Sequence, residues 1–289
     1  MNQVPNLLPI GLSTTSTYPA SVAETFAYAK GLGYDGVEIM VSYPKATRDL
    51  RTLLRLSDRF GLPILAIHAP TLVLTQFTGG RDPLTKLTRS LALAKAVDAP
   101  TVVCHPPFRW QNGYSKDFLK IVSDLEAHYE TTVAVENMFP WRIRGRNAKI
   151  YNPTWEDITA SDANLTIDFS HASLAGLDGF EMIRKNYANV AHIHLCDGVG
   201  VQKLNGKNQV KDEHMIPGEG TQPIAAALEY LVKTGWTGSI AAEVTTMGMG
   251  AAKRDAALLK TIQFARKAMA AELAQQVMSK KEKSLPVLV

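Results

Sequence analysis

Acidic and imidazole side chains recur at the ends of short apolar runs along this 289-residue chain. Each run has the length and composition of a buried strand, and the polar residue stands at its carboxyl end or just beyond it. Parallel strands closed into a barrel would bring all of these ends together at one mouth. The residues concerned are His68, His105, Glu136, Asp168, His171, His194, Asp212, His214 and Glu243.

Segments typical of strands and of helices alternate along the whole sequence. Within the strands, alternation places each proposed site residue on the inward face. The pattern predicts an α/β fold, a (β/α)8 TIM barrel forming one catalytic domain over residues 1–278, with a tail over 279–289. The predicted strands are Leu8–Ser13, Gly36–Val41, Ile64–His68, Thr101–Cys104, Thr132–Glu136, Leu165–Asp168, Val190–Cys196 and Ser239–Glu243.

Composition narrows the class of protein without fixing its function. With 46% apolar and 20% charged residues the chain is typical of globular proteins, and its net charge of +4 neither requires nor excludes a nucleic-acid partner. Two cysteines are too few for a disulfide framework and favour a reducing cytoplasm. Without a signal peptide or an apolar run of about 20 residues, we expect a cytoplasmic protein with no membrane partner. Homo-oligomer formation is left open.

Four of the site residues follow four consecutive predicted strands, and three of them are acids. Three carboxylates at one barrel mouth would repel one another unless positive charge lay between them. A buried ion-pair network with lysine or arginine is the alternative, but neither residue occurs at these strand ends. We therefore predict a divalent metal, zinc or manganese first and cobalt or magnesium next. The predicted ligands are Glu136, Asp168, His194 and Glu243.

The other five residues predict substrate contacts or a second metal. His68 and His105 end the third and fourth strands, and His171 comes three residues after Asp168. Each histidine alone is equally well explained as a hydrogen-bonded structural residue. Asp212 and His214 are spaced to point the same way from an extended segment, and a solvated charged loop is the alternative there.

Further candidates lie on the second strand and in the loop after the fifth strand. Glu38 faces inward and is a candidate for contacting substrate or for supporting a ligand from behind. The long loop Asn137–Asn152 combines aromatic residues with Arg142 and Arg144, which favours an anionic small-molecule substrate or a phosphate backbone. A solvated loop explains the same residues equally well.

These motifs resemble the xylose-isomerase-like TIM-barrel superfamily of sugar phosphate isomerases and epimerases, which is related to the class II AP endonucleases. The resemblance runs from Gly33–Glu38 to Glu243. In the sugar epimerases and inosose-type enzymes it implies one metal, held by the residues matching the four predicted ligands, with His171 on the substrate. In the endonuclease IV branch it implies three zinc ions on all nine residues.

The sequence departs from both branches. Asp197–Gly200 stands where the ketose epimerases carry an arginine after the histidine of the seventh strand, which argues against ketose epimerisation. Ala69–Leu74 lacks the polar DNA-contacting pattern of the endonucleases. Small-molecule chemistry is therefore favoured over a nucleic-acid substrate.

The resulting prediction is a metal-dependent isomerase or epimerase, or a related dehydratase, acting on a sugar- or polyol-like molecule. Proton transfer beside a carbonyl would pass through an enediolate, with Glu136 and Glu243 as the catalytic acid and base. An endonuclease IV-like zinc phosphodiesterase acting on abasic DNA is the alternative. A metal-binding barrel without catalytic activity is the third.

Overall fold

Eight parallel strands close into a barrel in the order in which they occur along the chain. The computed structural model describes residues 7–70, 78, 80–143, 146–204, 207–209 and 211–284, with the backbone alone described for 142, 143, 146, 147, 202–204, 207–209 and 276–284. The predicted single-domain (β/α)8 fold is confirmed. Its strands are β1 (Ile10–Ser13), β2 (Gly36–Met40), β3 (Ile64–His68), β4 (Thr101–Cys104), β5 (Thr132–Glu136), β6 (Asn164–Asp168), β7 (Val190–Leu195) and β8 (Ser239–Ala242).

Helices connect successive strands, and local sequence signals set their ends. Ser21 and Glu24 form a capping box at the start of the first helix, and Gly33 ends that helix in the left-handed conformation at φ 81°. Among the described residues, no helix combines the length and the apolar character that a membrane crossing would require. The helices are α1 (Val22–Leu32), α2 (Leu50–Phe60), α3 (Pro83–Ala96), α4 (Asn112–Tyr129), α5 (Trp155–Thr159), α6 (Phe169–Ala175), α7 (Gly179–Lys185), α8 (Ile224–Lys233) and α9 (Ala251–Ser284).

The long loops after β5 and β7 contain short antiparallel hairpins where the sequence predicted irregular chain. One pairs Trp141–Ile143 with Arg146–Ala148, and the other pairs Gln202–Leu204 with Lys207–Gln209. Strands of three residues are too short to give a recognisable alternation in sequence.

The last helix extends into the segment predicted to be a tail. Helix α9 continues to Ser284, past the predicted domain boundary at residue 278, because Lys280–Lys283 are good helix formers. The rest of the predicted tail, 285–289, lies outside the described residues.

Alternation along each strand divides the interior into two regions. In β5, Val133 and Val135 belong to the apolar core shared with the helices, whereas Ala134 and Glu136 do not. The second set points into the barrel. The barrel lumen therefore holds the polar residues, and the strand–helix interface holds the apolar core.

Strand register brings the site residues to one level at the carboxyl ends. Asp168 on β6 is paired with His194 on β7, and His194 is paired with Ala241 on β8. Glu243 follows β8 directly, and its backbone N–H donates to Leu195 O at 3.2 Å. Glu136 is the last residue of β5. The predicted convergence of these strand ends is thus a property of the barrel register.

Candidate metal centre

The four predicted metal ligands lie together at the carboxyl-terminal mouth of the barrel. His194 Nδ1 is 2.8 Å from Glu243 Oε2, 3.1 Å from Glu136 Oε1 and 3.5 Å from Asp168 Oδ2. One ligand atom from each residue lies within 4.8 Å of every other, and all four residues are buried. We refer to Glu136, Asp168, His194 and Glu243 as the four-donor group.

Glu136 contacts three further imidazoles. Its Oε2 lies 2.8 Å from His105 Nε2 and 3.2 Å from His68 Nε2, and its Oε1 lies 3.0 Å from His171 Nδ1. The structure therefore brings both strand-end histidines, His68 and His105, against the same carboxylate. Glu136 therefore connects the imidazoles of His68 and His105 with those of His171 and His194.

Asp212 and His214 complete the cluster from the long loop after β7. Asp212 Oδ2 lies 3.1 Å from His171 Nε2, and His214 Nε2 lies 3.3 Å from Asp168 Oδ2. The hydroxyl of Ser170 donates to Asp212 at 2.7 Å. All nine residues singled out in the sequence are thus in one continuous cluster.

Local structure around β6 holds Asp168 in place. Asp168 caps helix α6 by accepting from the His171 backbone N–H at 2.7 Å. The Asn137 side chain accepts from the Asp168 N–H at 2.7 Å and donates to the Asp168 carbonyl at 3.0 Å. Asn137 was not predicted, and its position directly after Glu136 was the only signal for it. Thr15, also not predicted, donates its hydroxyl to Glu243 Oε1 at 3.0 Å.

A buried carboxylate shapes the loop that carries Asp212 and His214. Asp197 accepts four backbone N–H groups, at 2.8 Å from Gly198, 2.9 Å from Gly218, 3.0 Å from Gly220 and 3.1 Å from Gln222. A Cβ at Gly220 would lie 2.2 Å from Asp197 Oδ1, so only glycine fits there. Asp197 therefore fixes the path of the loop near the site.

Without a cation, the carboxylates of the site are balanced by protonated imidazoles. Burial alone would raise the pKa of Glu136, but His194, His105 and His171 hold that pKa well below its usual range. Burial would lower the pKa of His194, but Glu243, Glu136 and Glu38 hold it well above its usual value. Histidine thus supplies the positive charge that lysine or arginine would provide in an ion-pair network.

The donor set fits a divalent cation. Three carboxylates and one imidazole nitrogen within 4.8 Å of one another are the mixed oxygen and nitrogen ligands that zinc and manganese bind. The negative charge of the three carboxylates exceeds the positive charge of one divalent ion. The protons that the imidazoles hold in the metal-free protein would leave when a cation binds.

The four-donor group lies beside a cavity of about 240 Å³ with mainly apolar walls. Six side chains form these walls, and Phe108 stacks on Tyr151 with ring centroids 5.2 Å apart. His68, His105, His171, Asp212 and His214 also line the cavity, together with Glu136 and Glu243. The wall residues are Met40, Phe108, Met138, Phe139, Trp141 and Tyr151.

The remaining predicted residues have different positions. Glu38 is fully buried and is absent from the described lining of the cavity, because it lies deeper in the barrel against His192 and His194. The side chain of Arg142 and the whole of Arg144 lie outside the described residues. Their predicted contact with substrate stays a prediction.

For the metal-free protein, we expect the free energy of unfolding to fall as the pH rises from about 6 to about 10. Burial would lower the pKa of His214, but Asp212 and Asp168 raise it to about 9 from the ordinary histidine value of 6.5. The stability that this shift provides is complete below about 6.5 and is lost as the pH passes through about 9. The shift corresponds to at most about 3 kcal/mol.

Urea unfolding of chelator-treated protein across this pH range measures the effect. His214→Gln is the control and should flatten the dependence. A wild-type stability that rises over the same range would contradict the assignment.

Comparisons with known proteins agree with this architecture. Residues 26–268 match the family model described as Xylose isomerase-like TIM barrel. The uncharacterized protein ML2432 of Mycobacterium leprae is 38% identical over 280 residues, covering 90% of this chain and 97% of that protein. The uncharacterized protein Rv0498 of Mycobacterium tuberculosis is 38% identical over 279 residues, with the same coverage.

Solved structures of low sequence identity have the same fold. A D-tagatose 3-epimerase-like protein superposes with a TM-score of 0.64 at 22% identity, covering 93% of this chain and all of that one. The 3-keto-D-glucoside 4-epimerase YcjR from E. coli gives a TM-score of 0.66 at 18% identity, covering 90% of this chain and 99% of that one. With the family match over most of its length, this chain belongs to the xylose isomerase-like TIM barrel family.

Proposed function

We propose that this protein is a divalent-metal-dependent isomerase or epimerase, or a related dehydratase, of a sugar- or polyol-like small molecule. The observation that carries the proposal is that the four-donor group borders a cavity of about 240 Å³ walled by aromatic and methionine side chains. A cavity of this volume suits one small, sugar-sized ligand. The fold shared with two proteins named as sugar epimerases supports the same class.

Glu136, Asp168, His194 and Glu243 would hold the cation, zinc or manganese first and cobalt or magnesium next. When bound, the cation would offset negative charge developing on the substrate oxygens as a proton leaves the neighbouring carbon. The apolar walls would exclude water from the same space.

Glu243 and Glu136 would move the proton. Both line the cavity. Glu243 Oε1 accepts only the Thr15 hydroxyl among the described residues, whereas both oxygens of Glu136 contact imidazoles. Glu243 is therefore the better placed to remove the C–H proton and keep it. Glu136 would return a proton to the substrate, taking it from the protonated imidazole of His171, whose Nδ1 lies 3.0 Å from Glu136 Oε1. Return to the opposite face gives epimerisation, return to the adjacent carbon gives isomerisation, and loss of a hydroxyl gives dehydration.

We expect Glu243→Gln to lower proton exchange by about 10²–10⁴-fold, the usual contribution of a general base. The measurement is deuterium incorporation from D₂O into a panel of ketoses, inososes and dehydroshikimate, with each candidate metal supplied at saturation. Glu126→Gln is the matched control, because Glu126 accepts from the Val133 N–H at 2.7 Å and lies outside the nine-residue cluster. Absence of exchange from wild-type protein with every substrate and metal would count against the proposal.

A second candidate is a zinc phosphodiesterase acting on abasic DNA. The observation that favours it is that three-residue donor groups adjoin the four-donor group, one with His68 and one formed by His171, Asp212 and His214. Three ions so arranged would bind a phosphate and generate the attacking hydroxide. A gel assay on an abasic duplex with zinc-loaded protein, together with zinc content per chain, tests this candidate. A metal-binding barrel without activity would retain the metal and fail both assays.

The charge of the substrate and the location of the protein remain proposals made from the sequence. We propose an anionic substrate because Arg142 and Arg144 follow the proposed ligand Glu136 by only a few residues in the sequence. We propose a cytoplasmic location because Cys104 and Cys196 are both buried and unpaired, as in reducing compartments.

A further inference from the structure

A chain of buried polar side chains lies inside the barrel below the four-donor group. Ser239 Oγ is 2.8 Å from His192 Nδ1, and His192 Nε2 is 3.0 Å from Glu38 Oε2. The same Glu38 oxygen is 3.4 Å from His194 Nε2. Glu38, His192 and His194 have no solvent-exposed surface. The chain therefore ends on the imidazole of the four-donor group.

The proton positions along this chain follow from the acceptor at its centre. A carboxylate only accepts hydrogen bonds, so His192 must carry its proton on Nε2 to donate to Glu38. His192 Nδ1 then accepts from the Ser239 hydroxyl. The side chain of His192 is thus fully engaged, while Glu38 retains the capacity to accept from a second donor.

Two atoms at the Glu38–His194 contact lack hydrogen bonds. Among the described residues, Glu38 Oε1 and His194 Nε2 are buried and unpartnered. One is an acceptor, and the other is a donor whenever it carries the proton. Buried polar groups left unpaired are costly and uncommon. His194 Nε2 already lies 3.4 Å from Glu38 Oε2, so a short approach of the two side chains would complete a hydrogen bond from Nε2 to this carboxylate.

We infer that Glu38 is a positioning residue, which keeps the proton of His194 on Nε2 so that the bare Nδ1 faces the carboxylates and a bound cation. Nδ1 is the nitrogen that lies 2.8–3.5 Å from Glu243, Glu136 and Asp168, so it is the one that would ligate. A carboxylate behind a ligating imidazole fixes its tautomer and orientation and makes it a stronger ligand. The inference rests on the metal centre of the proposed function. It places Glu38 outside substrate contact.

A merely structural Glu38–His192 pair would affect folding but not metal affinity. The test is therefore the dissociation constant for Mn²⁺ and for Zn²⁺, measured in metal buffers with wild-type protein, Glu38→Gln and Glu38→Asp. We expect Glu38→Gln to raise the dissociation constant about 10–100-fold, as for other partners behind a ligand. Glu38→Asp should restore part of the loss because it keeps the carboxylate. Glu126→Gln should change metal affinity less than about twofold.

A second measurement needs no substitution at Glu38, which matters because that buried residue affects folding. Long-range ¹H–¹⁵N NMR of the zinc-loaded wild-type protein reports which nitrogen of each histidine is protonated, and the signal absent from His194→Gln identifies His194. We expect its proton on Nε2. A proton on Nδ1, or a folded Glu38→Gln with wild-type metal affinity, would overturn the inference while leaving the proposed function intact. Failure of the wild-type protein to bind any divalent ion would overturn both.

Discussion

Glu136→Gln should destabilise the metal-free protein by about 3–5 kcal/mol near neutral pH, the usual cost of removing one partner from a buried charge pair. Glu136 is 1% exposed and contacts the imidazoles of His68, His105, His171 and His194 at 2.8–3.2 Å. The neutral amide would leave the positive charge of His171 and His194, whose pKa values are held well above the usual range, without its central counterpart. The pKa of His171, now held well above its usual value with Glu136 among the causes, should fall in the variant.

Urea unfolding of chelator-treated protein measures this change, with Glu126→Gln as the matched control. Glu126 accepts from the Val133 N–H at 2.7 Å and from the Asn164 amide at 2.8 Å, so its replacement should cost about 1 kcal/mol. ¹H NMR of the histidine ring protons in both variants gives the imidazole pKa values. Equal losses of stability in the two variants would mean that Glu136 is not the electrostatic centre of the cluster.

The sequence predicted this cluster because strand ends and residue types are local signals. Six of the nine residues stand at or next to the carboxyl end of an apolar run, and parallel strands in a barrel bring all such ends to the same mouth. His171 lies in the helix that follows such an end, and Asp212 and His214 come from a loop. The same reasoning predicted the fold, since eight strand–helix units with one-sided alternation are compatible with few other architectures.

Contacts that depend on backbone path could not be predicted in this way. Asn137 and Thr15 support the centre through hydrogen bonds to Asp168 and Glu243. Apart from the position of Asn137 directly after Glu136, nothing in their local sequence distinguishes them from ordinary loop residues. Asp197 acts through four backbone N–H groups contributed by residues up to 25 positions away. Such groups are present at every residue, so no side-chain pattern marks them.

Glu38 illustrates a second limit. Alternation correctly placed it inside the barrel, but inward position does not give depth along the barrel axis. The register of β2 places Glu38 opposite Ala66, two residues before the strand-end His68. It therefore lies one layer below the mouth, against His192 on β7, and away from the cavity.

The first divalent ion to bind should enter the four-donor group, ahead of the adjoining three-residue groups. The four-donor group offers three carboxylates and one imidazole, whereas the group of His171, Asp212 and His214 offers one carboxylate and two imidazoles. Affinity for a divalent cation rises with the number of charged ligands. In addition, His214 must be neutral to bind a metal. With a pKa of about 9, it is neutral at pH 7 in roughly one molecule in a hundred.

Glu243→Gln should therefore raise the dissociation constant of the first bound metal ion by more than about 100-fold. This is a larger effect than the one expected for Glu38→Gln, because Glu243 would bind the ion directly. His214→Gln should raise it by less than about tenfold, because His214 contacts Asp168 but belongs to a different donor group. Calorimetric titration of chelator-treated protein with Mn²⁺ and Zn²⁺ gives both constants, and the heat in buffers of different ionisation enthalpy counts the protons released. A first equivalent lost in His214→Gln and retained in Glu243→Gln would reverse the order of sites. Three zinc ions of similar affinity would instead strengthen the phosphodiesterase candidate, because that chemistry requires all of the donor groups to be filled together.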